Sequence, residues 1–555
     1  MTGQRKKRRG HSAPAPFGEN KGYGRDGGCR RGACITGRDA AVRDGRRRGT
    51  AIGIFRRRAS VRGSITLYLA LTLAAVLTLY LVLIGGARLG AARMQMESVS
   101  RTAQNAALAE FHQELHRRYD LFMADTSYGG PGGGDDSFAH HLRGYMERCC
   151  VRETVLPMGS IRDWTSMRIS EVQVPEARYA CDNGGRAVRE QVYAYMAADP
   201  AGSVLSGFLV SADRWKGLEI SGREWEVKTQ ESREELKEAL RERRQEQKEE
   251  NREKDKNNVT VTQEEREAAS DKPSEAENMV DEIGSFQFLP ILTQVFGSTE
   301  NLSDRMVRKE TGLCGRDVHL GTGMTAENSH GYPAADEILF DRYIYEKTGN
   351  CVRPSQDGQL RYQTEYILCG KDTDRGNLEG TAARILLIRE ASNAVYLFTD
   401  EERMARVHLV AAAAAFLLLN PELEDPIANA LALAWSYLES VQDVRTLMTG
   451  GKVPLEKTSE SWQTGLHELL TPLTAIRDRD SGEGIDYDVY LQGLLLIEGR
   501  TVKTQRTMGI MEMDVRRITG NSGFRMDLCL DAFRMHAEAE ACGTGFSFDG
   551  TGGYN

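Results

Sequence analysis

The sequence predicts a mainly α protein with a small α+β portion. The expected order is an N-terminal transmembrane helix continuing into a long amphipathic helix, then an extracytoplasmic α+β unit and a helical domain. Three observations carry this reading. Ser64–Ala87 (SITLYLALTLAAVLTLYLVLIGGA) holds 24 residues without a charge. At about 1.5 Å per residue it makes a helix of roughly 36 Å, longer than a bilayer core of about 30 Å. Beyond it, Val99, Ala103, Ala106, Ala107, Phe111, Leu115, Tyr119 and Phe122 recur at steps of three and four, one face of a helix. From Asp336 onward apolar runs of helical length dominate, separated by Pro, Gly and Asn.

Residues 1–62 read as a basic disordered tail. Up to residue 63 the chain has 18 Lys and Arg against four acids, a net of +14; with the whole chain at −8, the remainder carries −22. Arg56, Arg57, Arg58 and Arg62 sit directly before the apolar span, taken as 63–87. Basic flanks stay on the cytoplasmic side, so the four arginines set the topology: N-terminus inside, acidic bulk outside. A basic arm can also hold nucleic acid, but this one has almost no aromatic residues to stack on bases. No nucleic-acid partner is expected; the lipid bilayer is. A secretory signal has a shorter apolar core, so an uncleaved anchor is favoured over cleavage at Gly85-Gly86-Ala87. A short basic start before the span is the usual anchor layout, which makes Val61 an alternative translation start.

Residues 88–128 are expected to extend the same helix without interruption to the breaker Gly129-Gly130-Pro131-Gly132-Gly133-Gly134. Residues 129–220 read as the small α+β unit: a helix over Phe138–Cys150, a β-leaning stretch Met167–Tyr179 that Pro175 confines to an edge or bulge, a turn at Asp182–Gly185, and a helix over Ala187–Ala197. Between 231 and 280, 27 of 50 residues are charged, so 221–283 is taken as a solvated linker. The helical domain spans 284–540. Its expected helices are Asp336–Thr348, Asn377–Phe398 with Asp374 as cap, Val407–Leu419 as a buried core helix, Pro426–Met448, Tyr487–Glu498 and Thr501–Ile518. Residues 541–555 read as a loose Gly-rich tail.

No residue pattern predicts a catalytic, cofactor or metal site, and no small-molecule substrate is evident. His112 and His116 stand at i and i+4, but a zincin helix needs Glu directly after the first His, and here Glu114 comes one residue later. His140-His141 has no acid or Cys at ligand spacing. Gly450-Gly451-Lys452 lacks the phosphate-loop pattern, since position 446 is Thr and 453 is Val; a helix end fits better. Arg389, Glu390 and Asn393 in one apolar helix, with Glu439, Asp443 and Arg445 in another, mix acids and bases as interhelical ion pairs do. Eight of the ten cysteines, Cys149 to Cys542, would lie outside, and their spacing favours no pairing.

Several strings carry a resemblance: RGSITLYLAL (62–71), YDLF (119–122), YQTEYILCGKDTDRGNLEG (362–380), ILLIREASN (385–393), ALAWSYLESVQDVRTLMTGGKVPL (432–455) and DYDVYLQGLLLIE (486–498). With the anchor, they resemble an uncharacterised bacterial family of single-pass membrane proteins with a domain of unknown function. That family is associated with Tad-type pilus loci in Gram-positive anaerobes. The resemblance covers about 62–535 and transfers no catalytic residue. It implies a membrane-anchored extracytoplasmic structural or accessory protein, minor-pilin-like, with protein partners in a surface or pilus assembly. The cell membrane is the expected location, and no enzymatic activity is expected. Apart from that resemblance, residues 64–123 have the shape of a pilin helix, half in the membrane and half packed outside; pilin-type leaders are cut after a Gly, which makes Gly63-Ser64 the expected junction, although pilins carry Glu at the fifth mature position, where this chain has Tyr68. The alternatives are a cell-envelope enzyme without a recognisable motif and an anchored sensor or scaffold.

Overall fold

The computed structural model describes residues 64–130, 132–150, 154–156, 159–161, 165–198, 212–256, 290–307, 312–324, 334–470 and 482–554. The chain is mostly helical with small antiparallel sheets, and it divides into two compact units at Val76 and Leu77. The described part of the first unit, Ser64–Val76, is the opening of helix α1 (Ser64–Ala109). Its apolar side chains stand open, Tyr68 at 71% and Ile65 at 69% exposure.

Within the second unit, α1 passes Gly85-Gly86 without a break, and then buries Ala92, Met96, Val99, Ala103 and Ala107 at helical spacing. It does not run on to residue 123 as expected. Glu110 closes the helix, Phe111 bridges to Ala124, and the His112 amide bonds the Met123 carbonyl at 2.8 Å. His112 then caps a new helix, α2 (Gln113–Tyr119), its Nδ1 accepting from the Leu115 amide. Asp120 ends α2 in the left-handed region (φ 54°) and β1 (Ala124–Asp125) follows. The apolar period continued through 123 because both helices bury that face, while the backbone bonds redirect the chain between them.

Helix α3 (Asp135–Cys150), the β2–β3 hairpin (Thr154–Leu156, Gly159–Ile161), β4 (Arg168–Tyr179) and α4 (Arg186–Ala198) follow. The bulge expected at Pro175 is present, as a register shift between Gln173 and Glu176. Next comes α5 (Ala212–Lys256). The linker expectation fails over 221–256: within that stretch the helix buries Thr229, Leu236, Leu240 and Arg243, and Trp215 is buried just before it. Charge density along the sequence hid four well-spaced buried positions. Residues 257–283 of that linker lie outside the described residues.

The helices α6 (Ile291–Phe296), α7 (Ala334–Lys347), α8 (Gln363–Cys369), α9 (Asp374–Thr399), α10 (Glu401–Leu417) and α11 (Glu424–Met448) come next. The two-residue strands β5 (Lys452–Val453) and β6 (Ile485–Asp486) pair antiparallel, and α12 (Tyr487–Ile497) and α13 (Arg500–Arg516) complete the helical part. Thr373, rather than Asp374, caps α9, its hydroxyl accepting from the Gly376 amide. α10 is not the buried core helix expected: Val407, Ala411, Ala415 and Leu418 are buried, but Leu409 and Phe416 are 73% and 77% exposed.

The chain returns to the α+β unit at its end. β7 (Cys529–Ala541) is the middle strand of the largest sheet, antiparallel to β4 through Ala177↔Phe533 and Val172↔Ala537, and to β1 through Ala124↔Leu530. The expected loose tail is instead β8 (Thr544–Gly553), joined to β7 by a tight turn with Cys542 at φ 54° and Gly543 at φ 73°. Two positive φ values make the primed turn whose twist suits a hairpin. The 129–220 unit is therefore completed by 529–553. α1 and α3 cover one face of this sheet, with Met96, Ala103, Phe138 and Leu142 packed among Phe533, Met535 and Ala537. A second, larger core joins α4, α5 and the helices from α7 to α13.

Candidate functional site

The first candidate is the apolar start of α1. It is the one helix among the described residues long and apolar enough to cross a membrane, and its apolar stretch is not buried against the rest of the chain. Ser64 is its first residue. Gly63, Arg56, Arg57, Arg58 and Arg62 lie outside the described residues. No charge interrupts it before Arg88.

The histidine pair is structural. His112 caps α2 and His116 packs against Phe122 with ring centroids 4.1 Å apart. His141 stacks on Tyr128 at 3.5 Å. Burial lowers the His112 pKa, which suits a neutral capping acceptor. Among the described residues no three His, Cys, Asp or Glu side chains gather as metal ligands do. Gly450 and Gly451 end α11, with Gly450 at φ 93° and its amide on the Leu447 carbonyl.

The polar residues of α9 and α11 do meet. Arg389 donates to Asp443 at 3.0 Å, to the Pro454 and Leu455 carbonyls at 2.9 and 3.0 Å, and to Tyr490 at 3.1 Å. Asn393 donates to Asp443 and to Ser440, both at 2.9 Å. Lys457, which no sequence pattern singled out, bonds Asp443 at 2.8 Å and also Glu439. Glu439 accepts from the Thr464 amide and hydroxyl at 2.9 and 2.8 Å. All four charged side chains are fully buried. Burial opposes the charge on Asp443, yet Arg389 and Lys457 hold its carboxyl below the usual range. Two cations balance two anions, so the arrangement ties α9, α11, α12 and the 454–464 loop together.

Five other acids have raised pKa values, Asp514 and Asp531 and, more strongly, three others. Burial pushes Asp341, Glu365 and Glu390 up to about 7. Each is sealed between elements: Asp341 against Lys503, Glu365 against Tyr487 and the Cys351 amide, Glu390 against Thr229 of α5.

These three stand away from the polar cleft of about 280 Å³ that lies between α2, α7, α8 and α13, whereas Asp514, whose carboxyl burial also raises, lines it. Arg117, Arg118, Lys347, Gln363 and Asp514 form its walls. Lys347 is held by Asp120 at 2.7 Å, and Asp514 accepts from Tyr119 and Gln363 at 2.9 and 2.7 Å. The Arg118 Nε is buried without a hydrogen-bond partner among the described residues. The YDLF string thus forms a joint: Tyr119 reaches α13, Asp120 ends α2 and holds α7, and Leu121 is buried. The 362–380 string is a second joint, in which buried Asp374 accepts from the Arg361 and Tyr362 amides and Asn377 bridges Lys371 and Thr373.

The fold and these sites describe a largely helical protein with one candidate membrane span among the described residues. Residues 269–541 match a family of unknown function, DUF5702, so a domain of that family covers α6 to α13 and ends with β7. No curated protein matches the chain. No solved structure matches it either.

Proposed function

We propose that this protein is a membrane-anchored, extracytoplasmic structural or accessory component, minor-pilin-like, of a Tad-type surface apparatus. One observation carries the reading: the two halves of α1. Its first turns are apolar on every side and exposed, with Tyr68, Leu71 and Val82 at 62–71% exposure. Its later turns bury Ala92, Met96, Ala103 and Ala107 on an antiparallel sheet. A helix apolar all round suits lipid, and one with a single buried stripe suits a water-borne domain. Pilin-like proteins combine the two in one helix. The basic cluster at Arg56–Arg58 and Arg62 supports a cytoplasmic N-terminus and an outer body. The strings resembling the Tad-associated family support the apparatus.

The test is the mature N-terminus of the protein purified from native membranes, read by terminal sequencing with an intact mass. A chain starting at Ser64 supports pilin-type processing. A chain that retains residues before Ser64 in the carbonate-resistant membrane fraction supports a permanent anchor and an accessory role. A chain found only in the carbonate-soluble fraction defeats the anchored reading altogether.

A further inference from the structure

We propose that the free edge of β8 takes up an extended segment of a different protein as one more strand of the largest sheet. β8 pairs with β7 through ten consecutive positions without a register shift, Ala532↔Gly553 to Ala541↔Thr544. The Tyr554 amide bonds the Asp531 carbonyl at 3.2 Å. Antiparallel bonds alternate, so the even-numbered residues of β8 turn their backbone groups to β7. The amides and carbonyls of Gly545, Ser547, Asp549, Thr551 and Gly553 turn the other way, and among the described residues no strand meets them. The opposite edge of the sheet is protected. β4 carries Pro175, four charged residues (Arg168, Glu171, Glu176 and Arg178) and three register shifts. Its Ala177 amide donates to the Thr322 hydroxyl at 3.0 Å, and a Cβ on Gly321 would stand 2.2 Å from the Ala177 carbonyl. β8 has no Pro, Lys or Arg, and its single charge, Asp549, bonds His536 at 2.8 Å. A long edge without such devices is a template for another strand.

The edge chooses the occupant. Backbone donors and acceptors in a row are met by an extended chain; a helix spends its own groups internally, and an acyl chain has none. The side chains set the pattern of that chain. Phe546 and Phe548 lie half-buried on the face that α1 covers, and Ser547, Asp549 and Thr551 stand exposed on the other. The added strand is therefore apolar at alternate positions beside the two rings, and polar, without an acid facing Asp549, at the positions between. A second copy of β8 fails on direction. Two identical edges close about a two-fold axis only as an antiparallel pair. Within the chain, α1 runs the same way as β8. Near the start of β8, the Thr165 hydroxyl bonds Gln95 and the Thr165 carbonyl accepts from the Cys542 thiol at 3.5 Å. Near its end, the Leu108 carbonyl accepts from the Tyr554 hydroxyl at 2.7 Å. An antiparallel β8 pair therefore reverses α1 in the second copy. α1 is one unbroken helix from Ser64 to Ala109, so two copies anchored in one membrane by its start run in the same sense. This exclusion rests on the anchored reading; the open edge does not.

The experiment places the photo-reactive residue benzoylphenylalanine at Thr551 of the full chain, in native membranes, and sequences the irradiated adduct by mass spectrometry. The expected adduct lies on a different protein, in a segment apolar at every second residue. Ser547→Pro removes an outward amide and leaves the bonds to β7 in place, so the yield should fall about tenfold, whereas Ser547→Ala keeps both the amide and the yield. Gly545→Pro, where a side chain has open space, repeats the test at a second outward amide. No adduct, an adduct to lipid or to a second copy of this chain, or equal yields from the Pro and Ala variants each overturns the proposal. An unchanged thermal melt of each variant shows that the fold is intact. Carbonate extraction of the same membranes reads the anchor by itself: a soluble chain defeats the anchored reading, while a Pro-sensitive adduct on another protein still upholds strand addition.

Discussion

At the scale of single residues, the buried charges explain most of the polar character that the sequence places inside apolar helices. Arg389, Asp443, Glu439 and Lys457 are fully buried and mutually bonded. Removing one member leaves an uncompensated charge. Asp443→Asn leaves Arg389 in the core without its acid and Lys457 with Glu439 alone, and a loss of about 3–5 kcal/mol is expected in chemical denaturation. Replacing Arg389 and Asp443 together by Met and Leu should cost far less than either change alone, and a double-mutant cycle measures the difference. Five of the six polar residues flagged in α9 and α11 are buried: Arg389, Glu390, Asn393, Glu439 and Asp443. Lys457 could not be flagged, because a lysine in a polar loop carries no pattern, and only the fold brings it beneath α11.

At the scale of elements, α5 is the instructive case. Its sequence is dominated by Glu, Lys and Arg, yet Trp215 lies against Tyr490 at 5.4 Å between centroids and would collide with any Cβ placed on Gly493. Trp215→Ala should cost about 3–5 kcal/mol and raise hydrogen exchange along α5 before the rest of the chain. Glu390 adds a pH dependence to the same contact. Buried against α5, it keeps its proton up to about pH 7, whereas an unperturbed glutamate releases it near 4.5. Between those values the folded state binds the extra proton, so stability falls as pH rises from 4.5 to 7 and levels off above. Glu390→Gln should remove Glu390's share of that slope, leaving the shares of Asp341 and Glu365, and make the protein more stable at pH 8 by up to about 3 kcal/mol, read from denaturation midpoints across pH. Elements with regular apolar spacing, such as α4 and α13, were legible within a residue or two, and α3 within three. The break between α1 and α2 was not, since the bonds that make it run from Phe111 and His112 to Met123 and Ala124.

At the scale of the whole molecule, the chain closes on itself. β7 sits between β4 and β8, and its partners β1 and β4 precede the matched domain of 269–541. Tyr119 likewise bonds Asp514 across 395 positions. The stretch 129–220 is therefore not an independent unit: expressed alone, it should show no cooperative melt by circular dichroism. Residues 88–555 should melt cooperatively. A folded 129–220 fragment would contradict the sheet described here.

The amino-acid order alone established the apolar span, the helical class and most helix positions, because these depend on local quantities: run length, spacing of three and four, and breakers. Tertiary structure decided which charged stretch is solvated and which is docked, where α1 ends, what completes the sheet and which side of α10 stays open. These depend on contacts between residues hundreds of positions apart. A period of 3.6 shows that a helix has an apolar face; it does not show whether the face meets a core, a membrane or another protein.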